Sequence, residues 1–286
     1  MDEIAGVAVA RADAELREIL ARWRAAGESV ALTPTMGALH AGHASLVTLA
    51  KTRARRVVMS IFVNPTQFAE GEDFEAYPRA LEADVEAFAA AGGDLVYAPA
   101  VAEVYGEGFA TTVSVGGPAL AGLEDRFRPT HFAGVATVVA KLLCLARPDV
   151  AVFGEKDYQQ LQVISRMARD LDLGVEIVAA PTLREADGLA LSSRNVYLSA
   201  DERARAPALH RALRVCAEAI RAGAPIAPAL EDARARLAAA GFDVDYFEAR
   251  RAESLASVEA AADGPIRLLV AARLGRTRLI DNIGVD

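Results

Sequence analysis

Residues 30–50 read VALTPTMGALHAGHASLVTLA and pass from a strand-like run into a helix-like run. The apolar residues 30–35 are typical of a buried strand, and residues 44–50 have helical spacing. Between them lie His40 and His43, two of only four histidines in the chain. A strand that leads directly into a helix is the repeating unit of α/β proteins, so this stretch predicts that class.

The two histidines lie where the helix is expected to begin. Backbone N–H groups are unpaired there and the helix dipole is positive, so the position favours an anion such as phosphate. Gly37 and Gly42 would let the anion approach the backbone closely. Imidazole donates a hydrogen bond in either tautomer, which suits charge that builds on a phosphoryl oxygen. A zinc pair, which would need further ligands, and two packed core histidines are the alternatives.

Composition and charge narrow the class of protein. The 286 residues carry a net charge of −8 with a pI near 5.2, which argues against nonspecific binding of nucleic acid. The chain begins Met1-Asp2-Glu3, unlike a signal peptide, and its longest apolar run, residues 132–146, is short for a membrane span. Cys144 and Cys216 form no ligand pattern, which favours reduced thiols. We therefore expect a soluble cytoplasmic protein.

Strands and helices alternate over the first two-thirds of the chain. Near-continuous apolar strands separated by helices predict a Rossmann-like parallel sheet with helices on both faces. The predicted strands are 30–32, 57–63, 94–97, 111–115, 150–153 and 175–178, and the predicted helices are 12–26, 42–55, 79–91, 132–146 and 157–171. Ligands of such folds gather at the carboxyl ends of strands, and His40, Asn64 and Gly154 each follow one.

A smaller α+β domain is predicted at the C-terminal end. Residues 201–240 are rich in Ala and Arg with a helical pattern, and residues 243–248 and 266–272 resemble strands of an antiparallel sheet. We place the Rossmann-like domain at residues 1–182 and the smaller domain at residues 183–286.

Lysine, glutamine and asparagine are scarce and occupy few places. Asn64 and Gln67 follow one predicted strand, Lys156 and three of the four glutamines lie in residues 154–162, and Asn195 closes a Ser-Ser-Arg-Asn run. This grouping at strand ends indicates that side-chain donors are used there, although amides on surface helices could cluster by chance. Lysine suits phosphate as a point charge. Lys156 could instead form a surface ion pair with a neighbouring carboxylate.

Four blocks occur in order: PTMGALHAGH (34–43), FVNPTQF (62–68), GEKDYQQ (154–160) and DGLALSSRN (187–195). Together they resemble the pantothenate synthetase (pantoate–β-alanine ligase) family over nearly the whole chain. The first block holds the H-x-G-H signature of the wider nucleotidylyltransferase superfamily, which alone would indicate only ATP-dependent nucleotidyl transfer.

The resemblance implies a two-step ligase. Pantoate attacks the α-phosphate of ATP to give pantoyl adenylate and pyrophosphate, and β-alanine then attacks the acyl group to release pantothenate and AMP. It also implies Mg²⁺ with the ATP, a homodimer, and no nucleic-acid or membrane partner. The smaller domain would act as a lid. An adenylyltransferase that forms no amide and a non-catalytic nucleotide-binding protein are the alternatives.

The resemblance also implies a role for each matched residue. The catalytic set would be His40, His43, Lys156, Ser192 and Arg194, with His43 as proton donor. The ATP-binding positions would be Met36, Gly37, Ala38, Leu39, His40, Ala41, Gly42, His43, Gly154, Glu155, Lys156, Asp157, Leu183, Leu191, Ser192, Ser193 and Arg194. The pantoate-binding residues would be Met36, Asn64, Gln67 and Gln160.

Three further roles follow from the same resemblance. Gln67 would also lie toward the β-alanine site. Asp84 matches a family position for Mg²⁺, although the metal could be held mainly by phosphate oxygens and water. His131 would either border the pantoate pocket or serve at the entry of a helix, and we expect His210 to be structural.

Overall fold

The computed structural model describes residues 2–68, 74–75, 77–260 and 263–285. The chain divides into two compact units. The first comprises Met1–Glu155 and Val163–Pro181, and the second comprises Lys156–Gln162 and Thr182–Asp286. Residues 156–162 therefore group with the second unit, whereas the boundary drawn from the sequence assigns them to the first domain.

Within its described residues, the first unit forms a seven-stranded sheet. The strands are β1 (Asp2–Ile4), β2 (Val7–Ala10), β3 (Val30–Thr35), β4 (Arg56–Ile61), β5 (Leu95–Tyr97), β6 (Val150–Gly154) and β7 (Glu176–Ala180). They lie in the order β1-β2-β5-β4-β3-β6-β7, and every neighbouring pair except β1–β2 is parallel. From β5 to β7 this is a doubly wound order whose switch point lies between β3 and β6. The predicted fold class is confirmed.

Helices are packed on this sheet because its strands are apolar on both faces. The helices between β2 and β7 are α1 (Asp13–Ala25), α2 (Ala41–Lys51), α3 (Leu81–Ala90), α4 (Val101–Val104), α5 (Glu124–Phe127), α6 (His131–Ala146) and α7 (Tyr158–Asp170). Val57 and Met59 of β4 pack in one cluster with Val47 of α2 and Phe88 of α3. Val58, which points the opposite way, is also fully buried. Both faces are therefore covered, as continuous apolar strands predict.

The predicted strand at residues 111–115 is wrong. These residues form no strand, and the Val113 N–H instead donates to Thr137 Oγ1 of α6 at 2.9 Å. Val113 and Val115 are half-buried while the residues between and before them are exposed. The alternation of apolar and polar residues therefore does correspond to alternating burial, but in an irregular segment that is hydrogen-bonded to a helix side chain and not in a strand. Strands β1 and β2 were not predicted, because strands of three and four residues are too short to show an alternating pattern in the sequence.

The second unit contains a small antiparallel sheet, as predicted. Its strands β8 (Asp243–Arg251), β9 (Ile266–Leu274) and β10 (Thr277–Val285) lie in the order β10-β9-β8. The helices α8 (Ala200–Arg205), α9 (Ala208–Arg221) and α10 (Ile226–Ala239) occupy the predicted helical stretch. Leu213 of α9 and Leu237 of α10 share a core cluster with Phe247 and Leu268 of the sheet. Across the described residues, no helix combines the length and apolarity that a membrane crossing requires.

Helix α6 packs closely on the 3₁₀ helix Pro65–Gln67 at Gly134. A Cβ atom on Gly134 would lie 2.3 Å from the backbone oxygen of Thr66. We expect Gly134→Ala to force the two helices apart and to lower the free energy of unfolding by about 1–3 kcal/mol, measured by urea denaturation. Gly106→Ala is the control, because its Cβ would come no closer than 3.9 Å to its nearest neighbour. Equal effects of the two substitutions would contradict the steric explanation.

Candidate active site

The loop after β3 runs into α2, and its two histidines cap that helix. Nδ1 of His40 accepts the N–H of Gly42 at 3.1 Å, and Nδ1 of His43 accepts the N–H of His40 at 3.2 Å. This reciprocal arrangement is a capping box built from imidazole rings. The N–H groups of His43 and Ala44 donate to the His40 carbonyl oxygen. The expectation that the N–H groups of this turn are unpaired is therefore wrong for these residues.

The capping bonds determine which ring nitrogen carries the proton. A ring nitrogen that accepts a hydrogen bond is unprotonated, so in the neutral rings of His40 and His43 the proton is on Nε2. The two ring centroids lie 4.2 Å apart. The loop thus supplies two neighbouring Nε2–H donors, which suits a phosphoryl group whose charge increases during reaction. The described residues contain no group of three or more His, Cys, Asp or Glu side chains arranged to hold a metal.

Upstream of the histidines the loop has an uncommon backbone conformation. Gly37 and Ala38 both have positive φ, at 89° and 53°. The buried carboxylate of Asp84, in the first turn of α3, accepts the Ala38 N–H at 3.0 Å and the Leu39 N–H at 2.7 Å. This carboxylate therefore holds the backbone that leads into His40.

The second block follows β4, where Asn64 lies at the centre of a buried hydrogen-bond network. Its Oδ1 accepts the Tyr105 hydroxyl at 2.7 Å and the Thr66 N–H at 3.3 Å. Its Nδ2 donates to Gln67 Oε1 at 3.1 Å and to the Gly134 carbonyl at 3.2 Å. Burial raises the pKa of the Tyr105 hydroxyl, which keeps it protonated as a donor. Both N–H bonds of the Asn64 amide are thus used within the protein, and we interpret this residue as the one that orients Gln67.

Gln67 is held through both its side chain and its backbone. Because Asn64 binds Oε1, the Gln67 amide presents Nε2, which lies 3.1 Å from the Met36 sulfur. The Gln67 carbonyl accepts bonds from His131 Nδ1 at 2.9 Å and from the Arg128 guanidinium at 3.2 Å. A thioether is a weak acceptor that a carboxylate or hydroxyl oxygen readily replaces. His131, the first residue of α6, therefore helps to fix the position of Gln67.

The third block lies at the end of β6. Gly154 is the last residue of that strand, and Glu155–Asp157 form a 3₁₀ helix. Lys156 Nζ lies 3.9 Å from Asp157 Oδ1, so the alternative of a surface ion pair corresponds to a long, weak contact. Within the second unit, Asn282 Nδ2 also donates to the Lys156 carbonyl at 2.9 Å. Gln160 is half-buried near the start of α7.

In the second unit the fourth block forms one side of a short hairpin. Arg184 and Ala190 form an antiparallel bridge, and the Leu191 N–H donates to the Leu183 carbonyl at 3.0 Å. Ser192 Oγ then accepts the Arg194 N–H at 3.3 Å and caps the 3₁₀ helix Ser193–Tyr197. The predicted ATP-binding positions 183 and 191–194 are thus neighbours in this hairpin and the turn that follows it.

The hairpin is attached to β10 by a buried ion pair. Arg184 makes a bidentate contact with Asp281 at 2.6 and 2.9 Å and also donates to the Gly188 carbonyl at 3.2 Å. Asp281 is 3% exposed. Burial alone would raise the pKa of the Asp281 carboxyl, but polar contacts with His210 and Arg184 hold it below its ordinary value. His210 Nδ1 lies 3.7 Å from Asp281 Oδ2, in line with the structural role expected for it.

Comparison with known proteins identifies the family of this chain. The family model for pantoate–β-alanine ligases matches residues 8–284. The chain belongs to the pantoate–β-alanine ligase family. It is 61% identical over 277 residues to a pantothenate synthetase of Bradyrhizobium sp., covering 97% of this chain and 98% of the relative. It is 60% identical over 277 residues to pantothenate synthetase 2 of Bradyrhizobium diazoefficiens, with the same coverage.

Solved structures of the family agree with the fold. The pantothenate synthetase of Thermus thermophilus superimposes with a TM-score of 0.91 at 49% identity, covering 98% of this chain and 99% of that one. A pantoate–β-alanine ligase of Francisella tularensis, solved with β,γ-ATP and β-alanine, gives a TM-score of 0.81 at 30% identity and covers 98% of both chains. The match therefore includes both compact units.

Proposed function

We propose that this chain joins pantoate to β-alanine in an ATP-dependent ligation that proceeds through pantoyl adenylate and releases AMP and pyrophosphate. The observation that carries the proposal is the His40–His43 pair, which caps α2 beside the switch point of the sheet in a chain that matches the ligase family over residues 8–284. Ligands of doubly wound folds bind at this point.

In the first step the pantoate carboxylate attacks the α-phosphate and pyrophosphate leaves. Negative charge then increases on the phosphoryl oxygens, and the Nε2–H groups of His40 and His43 would donate hydrogen bonds to them. We propose that Lys156 and Arg194 neutralise the leaving pyrophosphate, Lys156 as a point charge and Arg194 as a planar fork. Pyrophosphate is a weakly basic leaving group, so stabilisation of charge contributes even without full proton transfer from His43.

The second step needs the acyl adenylate held for attack by the amine of β-alanine. We propose that Gln67 Nε2 exchanges its weak contact with the Met36 sulfur for a hydrogen bond to pantoate. In the second step the same side chain would lie beside β-alanine. Gln160 would also donate to pantoate. The support for Gln67 is its orientation, since Asn64 fixes Oε1 and leaves the donor end of the amide for an acceptor on the ligand.

We propose that the ligation uses ATP together with Mg²⁺, which would neutralise part of the phosphate charge when bound. Asp84 does not fit a ligand role, because both of its oxygens accept backbone N–H groups and the residue is 4% exposed. We also propose a homodimer in the cytoplasm, which rests on the family resemblance.

The function is tested by measuring release of AMP and pyrophosphate from ATP and Mg²⁺, with pantoate and β-alanine supplied separately and together. We expect pyrophosphate release to require pantoate, and we expect free AMP to accumulate only when β-alanine is also present. Adenylate formation without β-alanine-dependent AMP would indicate an adenylyltransferase that forms no amide. ATP binding without pantoate-dependent pyrophosphate would indicate a non-catalytic nucleotide-binding protein.

Gln67→Ala should raise the half-saturating concentration of pantoate by about 10- to 100-fold, because the variant loses a hydrogen bond to a charged group. The half-saturating concentration of ATP should change little. Steady-state kinetics with each substrate varied in turn would measure both values. Gln162→Ala is the matched control, since it removes an amide that has no assigned contact with substrate. An effect of Gln67→Ala confined to ATP would contradict its placement.

A further inference from the structure

We propose that Asp84 is a positioning residue that holds the loop in front of the catalytic histidines, and that it does not bind Mg²⁺. This inference rests on the proposed function for the role of the histidines. Asp84 lies on α3, which is separated in the chain from β3 and α2 by β4 and the segment after it. Asp84 therefore contacts the loop before the histidines only because the tertiary fold brings α3 to it.

The geometry of the Asp84 carboxylate suits a positioning role. Oδ2 accepts the N–H of Ala38 at 3.0 Å, and Oδ1 accepts the N–H of the next residue, Leu39, at 2.7 Å. Each oxygen thus has its own backbone donor. Hydrogen bonds to an ionised acceptor are about twice as strong as those between neutral groups. The pair of bonds fixes the direction of two successive peptide units just before His40.

The backbone that these bonds hold has an uncommon conformation. Gly37 and Ala38 have φ values of 89° and 53°, in the left-handed region. Alanine rarely adopts this conformation without compensating contacts. Successive N–H groups that converge in such a turn form a hollow that binds an anion. In this protein the hollow is occupied by Asp84, so the anion that it binds belongs to the chain itself.

The Asp84 carboxylate lies in a tightly packed space. A Cβ atom on Gly37 would lie 2.8 Å from Asp84 Oδ2 and 3.2 Å from the Ile61 side chain. The carboxylate is therefore packed directly against the Gly37 backbone, and the residue is 4% exposed. Protein-bound Mg²⁺ usually keeps several waters in an octahedral shell. A buried carboxylate that already accepts two N–H groups does not suit that shell, whereas it suits the role of a backbone clamp.

The consequence for catalysis follows from the chain order. Leu39 immediately precedes His40, whose Nδ1 and backbone N–H both belong to the imidazole capping box. A shift of the Ala38–Leu39 peptide units would move both histidine rings. In Asp84→Asn one acceptor oxygen becomes an NH₂ group that faces a backbone N–H, so one bond is replaced by a repulsive contact.

The experiment compares Asp84→Asn with Glu82→Gln, which makes the same change of charge at an exposed position in the same helical turn. We expect Asp84→Asn to lower kcat for pantoate-dependent pyrophosphate release by about 10- to 100-fold, the size of effect that small misplacements of catalytic groups produce. The half-saturating Mg²⁺ concentration should stay at the wild-type value. Glu82→Gln should remain within about twofold. A raised Mg²⁺ requirement, with activity restored by excess Mg²⁺, would overturn the proposal in favour of a metal ligand.

A double-mutant cycle with His40→Ala separates positioning from general stability. If Asp84 acts through the histidine loop, Asp84→Asn should cost much less activity in the His40→Ala background than in the wild type. An equal loss in both backgrounds would overturn the proposal.

Nitrogen NMR of the imidazole rings gives a readout that does not depend on activity. The ring nitrogens of His40 and His43 should report the Nε2–H tautomer in the wild type and should shift in Asp84→Asn, while those of His210 stay unchanged. Unchanged His40 and His43 signals in Asp84→Asn would overturn the proposal, whatever the result of the ligase activity assay. Should Asp84→Asn not fold, hydrogen exchange of the wild-type Ala38 and Leu39 amides decides. Slow exchange supports the clamp, and fast exchange overturns it.

Discussion

His43→Ala is expected to lower the rate of adenylate formation by about 10²–10⁴-fold, the range for removal of a positioned acid or electrostatic donor. The Nε2–H of His43 would act on charge that appears mainly in the transition state, so ATP binding should change little. Single-turnover release of pyrophosphate measures the rate, and calorimetric titration with ATP measures the binding. Near-normal single-turnover kinetics would remove His43 from the mechanism.

The control for this prediction must separate the two nitrogens of the ring. Nδ1 of His43 accepts the His40 N–H, so alanine also removes a helix cap, which is worth about 0.5–2 kcal/mol. In His43→Asn the side-chain oxygen can take the place of Nδ1 as acceptor, but nothing replaces Nε2. We expect the asparagine variant to be as slow as the alanine variant and more stable to urea. A fast asparagine variant would show that His43 acts through the cap.

Those parts of the site that lie within one stretch of sequence could be predicted from it. The turn from β3 into α2 and the cluster of amides after β4 depend on local spacing and on the rule that parallel strands end at one edge of a sheet. The capping role of the imidazoles could not be predicted, because histidine is not a common residue at that position of a capping box. It follows from the backbone angles around His40, which only the structure shows.

The contacts that orient the site come from distant residues, and no local pattern encodes them. Tyr105 is 41 positions from Asn64, and Asp84 is 45 positions from Leu39. Tyr105 carries no motif in the sequence, so it was missed. Asp84 matched a family position, but the bonds that define its role depend on how α3 packs beside the loop. Such pairs are set by the tertiary fold and leave no local pattern in the sequence.

Asp281→Ala is expected to destabilise the protein by about 3–5 kcal/mol, the usual cost when one partner of a buried ion pair is removed. Arg184 loses a bidentate contact at 2.6 and 2.9 Å and stays largely buried without its counter-charge. Asp232→Ala is the control, since Asp232 pairs with Arg236 at the same 2.6 Å but both side chains are 56% exposed. That variant should lose at most about 1 kcal/mol. Urea denaturation of both variants measures the difference.

The pH dependence of the same variant tests the electrostatic cause. The pKa of Asp281 is held below its ordinary value in the folded protein, so the ion pair stabilises the fold at every pH above the unfolded pKa of about 4. As pH falls through the folded pKa, the carboxylate takes up a proton and this stabilisation is lost. The gap in unfolding free energy between wild type and Asp281→Ala should therefore be at its full size near pH 5 and should shrink below about pH 4. A gap that persists unchanged in acid would mean that Asp281 stabilises the hairpin by packing and not by charge.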